Sequence, residues 1–170
     1  IGDLMKYDME GNREIIQEDV YGVNWLSSDG SAYICLSQNA DTITYDYLIV
    51  SGERSVTINN VYAASITDDR SMIYLLADYD TELELGTIYS LTLDNLRQRE
   101  LAQNAAFMNS GGITDLTQGI LYSTPGDMAG RYDINYVTSS GRTYCLITNG
   151  FEQSLYTIYL NTQQQTGYIL

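Results

Sequence analysis

The chain has 170 residues, of which 44% are hydrophobic and 18% charged. This length allows one domain or at most two, and the apolar fraction argues against a disordered chain. A formal net charge of −14 disfavours binding to nucleic acid and docking on anionic membranes. The chain has no histidine, which excludes Ser-His-Asp and Cys-His nucleophiles, histidine general bases and histidine-ligated zinc.

Short strands are predicted along the whole chain, because apolar and polar residues alternate over stretches bounded by Gly, Asp and Ser. Two strands, residues 3–9 and 13–17, flank a turn at Gly11. A unit of four strands follows, at residues 23–26, 32–36, 44–49 and 55–58. The longest apolar runs, such as residues 73–77, have only the length of a strand, so we expect no membrane insertion.

The pattern then repeats, since Asn60-Val61-Tyr62 matches Asp19-Val20-Tyr21. Strands are predicted at residues 72–76, 87–93 and 97–102, with a long loop at 78–86. Residues 93–107 are the best helix candidate, but the repeat favours a turn and a strand there. A looser unit breaks at residues 109–112, and further strands are predicted at 119–123, 132–137, 143–147, 154–160 and 167–170, with a Gln-rich turn at 163–165.

Four short antiparallel strands per repeat are typical of one β-propeller blade. The sequence therefore predicts an all-β fold, a β-propeller or propeller fragment of about four four-stranded antiparallel blades. We expect a single domain over residues 1–170, with a half-blade at 1–18, blades at 19–59, 60–103 and 104–148, and a half-blade at 149–170. The half-blades could belong to a larger propeller, join each other, or pair with another chain; we favour the first.

Cys35 and Cys145 each lie within an apolar stretch, which predicts two buried free thiols rather than a disulfide. Neither has a neighbouring Lys or His that would lower its pKa, so we expect no reactive cysteine.

The stretch from Trp25 to Ser31, together with the strand at residues 44–49, resembles the TolB-type β-propeller repeat, which occurs in bacterial propellers of about six to eight blades. Residues 87–94 resemble the second element of that repeat. In its turn, Asp29 would cap the backbone and Gly30 would take a positive φ. The chain departs from the pattern at Ser28, where the family has Pro, and at Arg70, where it has Gly. The resemblance implies a binding or scaffold module, or a peptidase-associated propeller, outside the cytoplasm.

Two groups of residues are candidate binding sites. The alternating carboxylates of Asp78, Asp80, Glu82 and Glu84 could gather around Ca²⁺, although they lack EF-hand spacing and also suit a solvated loop. Trp25 could stack on a ligand at the mouth of a propeller channel or pack between blades.

The function predicted from these features is a non-enzymatic protein-interaction or ligand-binding propeller module, in an extracytoplasmic or cell-surface location. No cofactor beyond Ca²⁺ is suggested. The partner would be a protein, or a second copy bound through sheet edges. The alternative is an acid-dependent, carbohydrate-active propeller enzyme that uses a pair of carboxylates. A segment that only completes a larger propeller is a third possibility.

Overall fold

The computed structural model describes residues 1–38, 42–108, 119–151, 158–161 and 166–169, the last two ranges as backbone only. Within these ranges the chain consists of strands and turns without a helix, so the predicted all-β class is confirmed. No helical segment in the described part has the length and apolarity needed to cross a membrane. The strands are β1 Gly2–Tyr7, β2 Arg13–Val20, β3 Gly22–Leu26, β4 Ala32–Gln38, β5 Tyr45–Ser51, β6 Arg54–Val61, β7 Ala63–Ile66, β8 Met72–Asp80, β9 Leu85–Thr92, β10 Gln98–Phe107, β11 Gly119–Pro125, β12 Tyr132–Thr138, β13 Thr143–Gly150, β14 Ile158–Asn161 and β15 Thr166–Ile169.

Every strand pairs antiparallel with at least one strand next to it in the sequence, which gives simple meanders. Strands β3 to β6 form a four-stranded sheet, and β7 to β13 form a sheet of seven. The larger sheet is two meanders joined through β10, because its residues 98–105 pair with β9 while Ala106 and Phe107 pair with β11. The pairs β1–β2 and β14–β15 stand as two-stranded sheets.

The meanders pack face to face, because successive side chains of a strand point to opposite faces. Ile34 of β4 lies in a core cluster with Ile73 and Leu75 of β8, whereas its neighbours Tyr33 and Cys35 pack towards the β1–β2 pair. Tyr74 and Leu76 face the other way, into a cluster shared with β11 and β12. The β3–β6 meander and the β7–β9 strands are therefore each covered on both faces by apolar residues of neighbouring elements.

One backbone feature recurs where the chain crosses from one meander to the next. Asp19, Asn60, Asn104 and Asn149 have φ between 49° and 56°, a left-handed conformation that Asn and Asp tolerate better than most residues. Three of the four amides are capped by an aspartate of the preceding strand: Asp3 accepts from Asp19 N at 3.3 Å, Asp46 from Asn60 N at 3.0 Å and Asp133 from Asn149 N at 2.8 Å. These residues also begin the blades assigned from the sequence at 19, 60, 104 and 149; that division stays a prediction.

The repeated turns have the capping predicted for them. Asp29 Oδ1 accepts bonds from Ser27 Oγ at 2.7 Å and from Ser31 N at 3.1 Å, and Gly30 has φ 75°. Asp69 accepts the equivalent bonds from Thr67 Oγ1 and Ser71 N. Because these carboxylates accept several hydrogen bonds, their pKa values are lowered, that of Asp29 to about 2.

Two sequence expectations are wrong in detail. Cys35 is buried as predicted, but Cys145 is exposed, because it lies on β13, an outermost strand whose first residues face solvent. The predicted loop at 78–86 is a four-residue turn, since β8 runs on to Asp80 and β9 begins at Leu85.

The best helix candidate, residues 93–107, forms a turn and β10, as the repeat predicted. The predicted break at 109–112, part of the strand at 154–160 and the Gln-rich turn at 163–165 lie outside the described residues.

Candidate functional site

The connections between strands fall at two opposite ends of the sheets. Tight turns join β1 to β2, β3 to β4, β5 to β6, β7 to β8, β9 to β10 and β12 to β13, and we call this the turn end. The other end holds the crossings from β2 to β3 and from β6 to β7, the β8–β9 turn, the β11–β12 connection and the end of β13. We call it the aromatic end, after the rings that it carries: Tyr21, Tyr45, Tyr62, Tyr79 and Phe151.

The aromatic end carries two adjacent pairs of tyrosine rings. Tyr21 and Tyr45 have ring centroids 5.3 Å apart and tilted by 40°, whereas Tyr62 and Tyr79 stack at 4.0 Å and 7°. Tyr45 pairs across the sheet with Val61, the residue before Tyr62, so the two pairs are neighbours. Tyr21 remains 49% and Tyr62 43% exposed, which is high for large side chains that already contact another ring.

The crossings between meanders position these rings. After the left-handed residue comes a buried one, Val20 or Val61, and then the tyrosine, which therefore points away from the core. The backbone is held in place, since Tyr21 N donates to Leu36 O at 2.7 Å and Tyr62 N donates to Leu76 O at 2.8 Å. Two crossings with the same sequence pattern thus present the same ring at the same end.

The last described crossing presents a phenylalanine in the same way. Phe151 follows the left-handed Asn149 and the buried Gly150, and its ring is 56% exposed. The guanidinium carbon of Arg131 lies 3.7 Å from the centroid of that ring, a cation–π contact.

The four predicted carboxylates lie at this end but do not converge. Asp78 Oδ2 accepts a bond from Tyr89 Oη at 2.9 Å, and Asp80 Oδ1 accepts from the amides of Glu82 and Leu83 at 2.8 and 3.0 Å. Glu82 and Glu84 are exposed in the turn. Within the described ranges no three Asp, Glu or Cys side chains form a group that could hold a metal ion. The structure therefore uses Asp78 and Asp80 to bind a neighbouring hydroxyl and a turn.

The charges are distributed unevenly between the two ends. Of the eight Lys and Arg residues, only Arg131 lies at the aromatic end. The rest lie in or beside the turn end: Lys6, Arg13, Arg54, Arg70, Arg97, Arg99 and Arg142. Two of them bridge adjacent meanders there, since Arg54 Nη2 donates to Asp94 O at 2.7 Å and Arg99 donates to Ser140 O. The aromatic end is left with a largely negative surface.

The pKa values of two of these tyrosines are raised. Burial raises the pKa of Tyr79, with smaller contributions from Tyr62, Glu84 and Asp80. The pKa of Tyr45 is raised by its hydrogen bond and charge interaction with Tyr21. These hydroxyls therefore stay protonated, and hence neutral, beyond the ordinary tyrosine value of 10.0.

Trp25 lies apart from the acidic turn. It pairs with Ile34, and its partly buried ring packs against the core cluster between the β3–β6 and β7–β9 meanders. The indole Nε1 is buried and has no hydrogen-bond partner among the described residues. The structure thus separates Trp25 from Asp78, Asp80, Glu82 and Glu84.

The tyrosines of the aromatic end were not among the residues singled out from the sequence. The repeated Asp-Val-Tyr and Asn-Val-Tyr triplets served there only as markers of the repeat. The spacing of these triplets can be recognised in the sequence, but the left-handed backbone conformation that turns the rings outwards cannot.

Stacked antiparallel meanders of four short strands define the architecture. The fold is that of a β-propeller or a propeller fragment. Solved structures that the chain resembles include the β-propeller domain of the trilobed protease from Pyrococcus furiosus, with a TM-score of 0.49 and 12% identity over 86% of this chain and 53% of that one. Another is the acylaminoacyl peptidase of Pyrococcus horikoshii, with a TM-score of 0.47 and 14% identity over 86% of this chain and 30% of that one. The chain thus spans 53% and 30% of those two proteins. It matches no protein-family model and no curated protein.

Proposed function

We propose that this chain is a non-enzymatic interaction module that binds a protein partner through its aromatic end. The observation that carries the proposal is the row of four tyrosines, paired ring to ring, in which Tyr21 and Tyr62 are exposed and each packs on a partly buried ring, that of Tyr45 or Tyr79. Tyrosine is enriched at protein interfaces, because it offers a large contact area and a hydroxyl at small cost in conformational entropy. Tyr45 and Tyr79 project from paired strands, and the backbone amides of Tyr21 and Tyr62 are hydrogen-bonded to neighbouring strands, so the rings are already held in position before a partner arrives.

Three aspartates in turns give no support to the enzymatic alternative. A carboxylic acid that acts as a general acid needs a raised pKa. Asp8, Asp29 and Asp69 instead have lowered pKa values, because hydrogen bonds from turn residues stabilise their charged forms. We therefore favour binding over catalysis, with no cofactor.

Kinship with the TolB-type propellers belongs to the same proposal. It rests on the Asp29-Gly30 turn, whose capping bonds and positive φ are those that the repeat requires. We place the module outside the cytoplasm or at the cell surface on that kinship.

The test compares affinity capture by three forms of the purified chain from an extract of the source cells. One is the wild type, one carries Tyr62→Ala and Tyr79→Ala, and the control carries Tyr7→Ala, which removes a tyrosine that is 64% exposed at the turn end. We expect a protein that the wild type and the Tyr7 variant retain, and that the double variant loses.

Circular dichroism should show that all three forms are folded. Capture of the same proteins by all three forms would place any binding elsewhere and refute the role of the aromatic end. Release of reducing sugar from a polysaccharide panel by the wild type would instead establish the enzymatic alternative.

A further inference from the structure

The aromatic end combines exposed rings with negative charge on one surface. Tyr79 lies between Asp78 and Asp80 on β8, and its ring stacks on Tyr62. The turn that follows adds the exposed carboxylates of Glu82 and Glu84. A ring face attracts cations through its quadrupole, and nearby carboxylates strengthen that attraction.

The chain itself shows such a contact at this end. Arg131, the one cationic residue of the aromatic end, places its guanidinium 3.7 Å from the centroid of the Phe151 ring. Tyr21 and Tyr62 are also exposed, at 49% and 43% against 56% for Phe151, but within the described ranges neither they nor their partner rings have a cation–π contact with a residue of this chain. The partner is thus expected to supply the cation that is missing there.

We infer that the aromatic end binds a cationic segment of its protein partner, with an Arg or Lys side chain seated against the Tyr62–Tyr79 stack and facing the carboxylates of the β8–β9 turn. This inference rests on the proposed function and adds the chemistry of the partner. The parallel stack occupies one face of each ring, so the cation would take the solvent-facing side of Tyr62. A cationic partner would also complement the charge of the whole chain, whose net charge is −14.

The net charge alone would attract any polycation, so the test must locate the binding. The probe is a short arginine-rich synthetic peptide, and isothermal titration calorimetry at low and at moderate salt measures its affinity. A glutamate-rich peptide of equal length is the negative probe. Tyr62→Leu removes the ring face but keeps an apolar side chain, and Tyr7→Leu makes the same change at the turn end.

A second pair of variants, equal to each other in net charge, tests the carboxylates. Glu82→Gln and Glu53→Gln each remove one exposed negative charge, the first at the aromatic end and the second in the β5–β6 turn. We expect Tyr62→Leu to weaken peptide binding about threefold and Glu82→Gln about twofold at low salt, with smaller effects at the higher salt. Tyr7→Leu and Glu53→Gln should leave the affinity within error of the wild type.

Equal losses at both ends would mean diffuse attraction to a negative protein and would overturn the inference, as would unchanged binding by Tyr62→Leu. A failure of the proposed function would be seen separately, in the capture experiment. If the captured partner is lost by the Tyr62 and Tyr79 variant while peptide binding is unaffected, the docking surface stands and its cationic occupant is wrong.

Discussion

Replacing Arg70 with glycine should stabilise the protein, because Arg70 holds a backbone conformation that suits glycine. Its φ is 58°, and the matching residue in the β3–β4 turn, Gly30, has φ 75°. The two turns have equivalent hydrogen bonds: Arg70 N donates to Thr67 O at 2.9 Å, and Gly30 N donates to Ser27 O at 3.0 Å. They form a matched pair that differs in the residue at the strained position.

The expected gain is the difference between two opposing effects. A left-handed conformation costs a residue with a Cβ about 1–2 kcal/mol. Glycine loses more conformational entropy on folding, by about 0.5–1 kcal/mol. The net effect of Arg70→Gly is then a gain of about 0.5–1 kcal/mol in the free energy of unfolding, since the exposed Arg70 side chain has no partner among the described residues that the exchange would remove.

Urea unfolding followed by circular dichroism measures this change. With an m-value of about 2 kcal/mol per molar, the midpoint should rise by about 0.3–0.5 M. The reverse exchange, Gly30→Arg, should lower the midpoint by a similar amount and serves as the internal control. A fall in the midpoint of Arg70→Gly would refute the reasoning and would mean that the Arg70 side chain stabilises the fold by more than its backbone strain costs.

Two further predictions concern the cysteines and the turn carboxylates. In native buffer, iodoacetamide should modify Cys145 and spare Cys35, which is buried and whose thiol pKa is raised by that burial; mass spectrometry of the labelled peptides checks this, and equal labelling would contradict the assigned burial. Because the pKa of Asp29 is lowered from 3.8 to about 2, its stabilising contribution is present in full above pH 3.8 and is lost as the pH falls towards 2. Urea titrations across that range should therefore show a shallower acid loss for Asp29→Asn than for the wild type, and identical slopes would argue against the turn bonds.

Local physics explains which features the sequence could predict. Alternation of apolar and polar residues identifies strands such as β9, and the Asp29-Gly30 pair identifies its turn without knowledge of the rest of the chain. The alternation of apolar and polar residues does not show whether a strand lies in the middle or at the edge of its sheet. Cys145 was therefore expected to be buried, although its strand is outermost and its side chain is exposed.

The candidate site was harder to predict because it depends on long-range placement. The acidic stretch from Asp78 to Glu84 looked like a loop, whereas pairing of Asp80 with Leu85 extends both strands and spreads its carboxylates. The stacking of Tyr62 on Tyr79 joins a crossing residue to a residue of the next meander's second strand. Neither arrangement follows from spacing alone.

The crossing between meanders explains how one structural device serves both the fold and the proposed function. Alternation buries Val20, Val61, Ala105 and Gly150 at the four crossings, so the residue after each lies outside the core. Those residues are Tyr21, Tyr62, Ala106 and Phe151, three aromatic residues and one small one. Because the buried residue and, at three of the four crossings, the capped left-handed amide hold the backbone, the following position can change without loss of core packing. The chain can therefore carry a binding surface at positions where the fold itself requires no particular side chain.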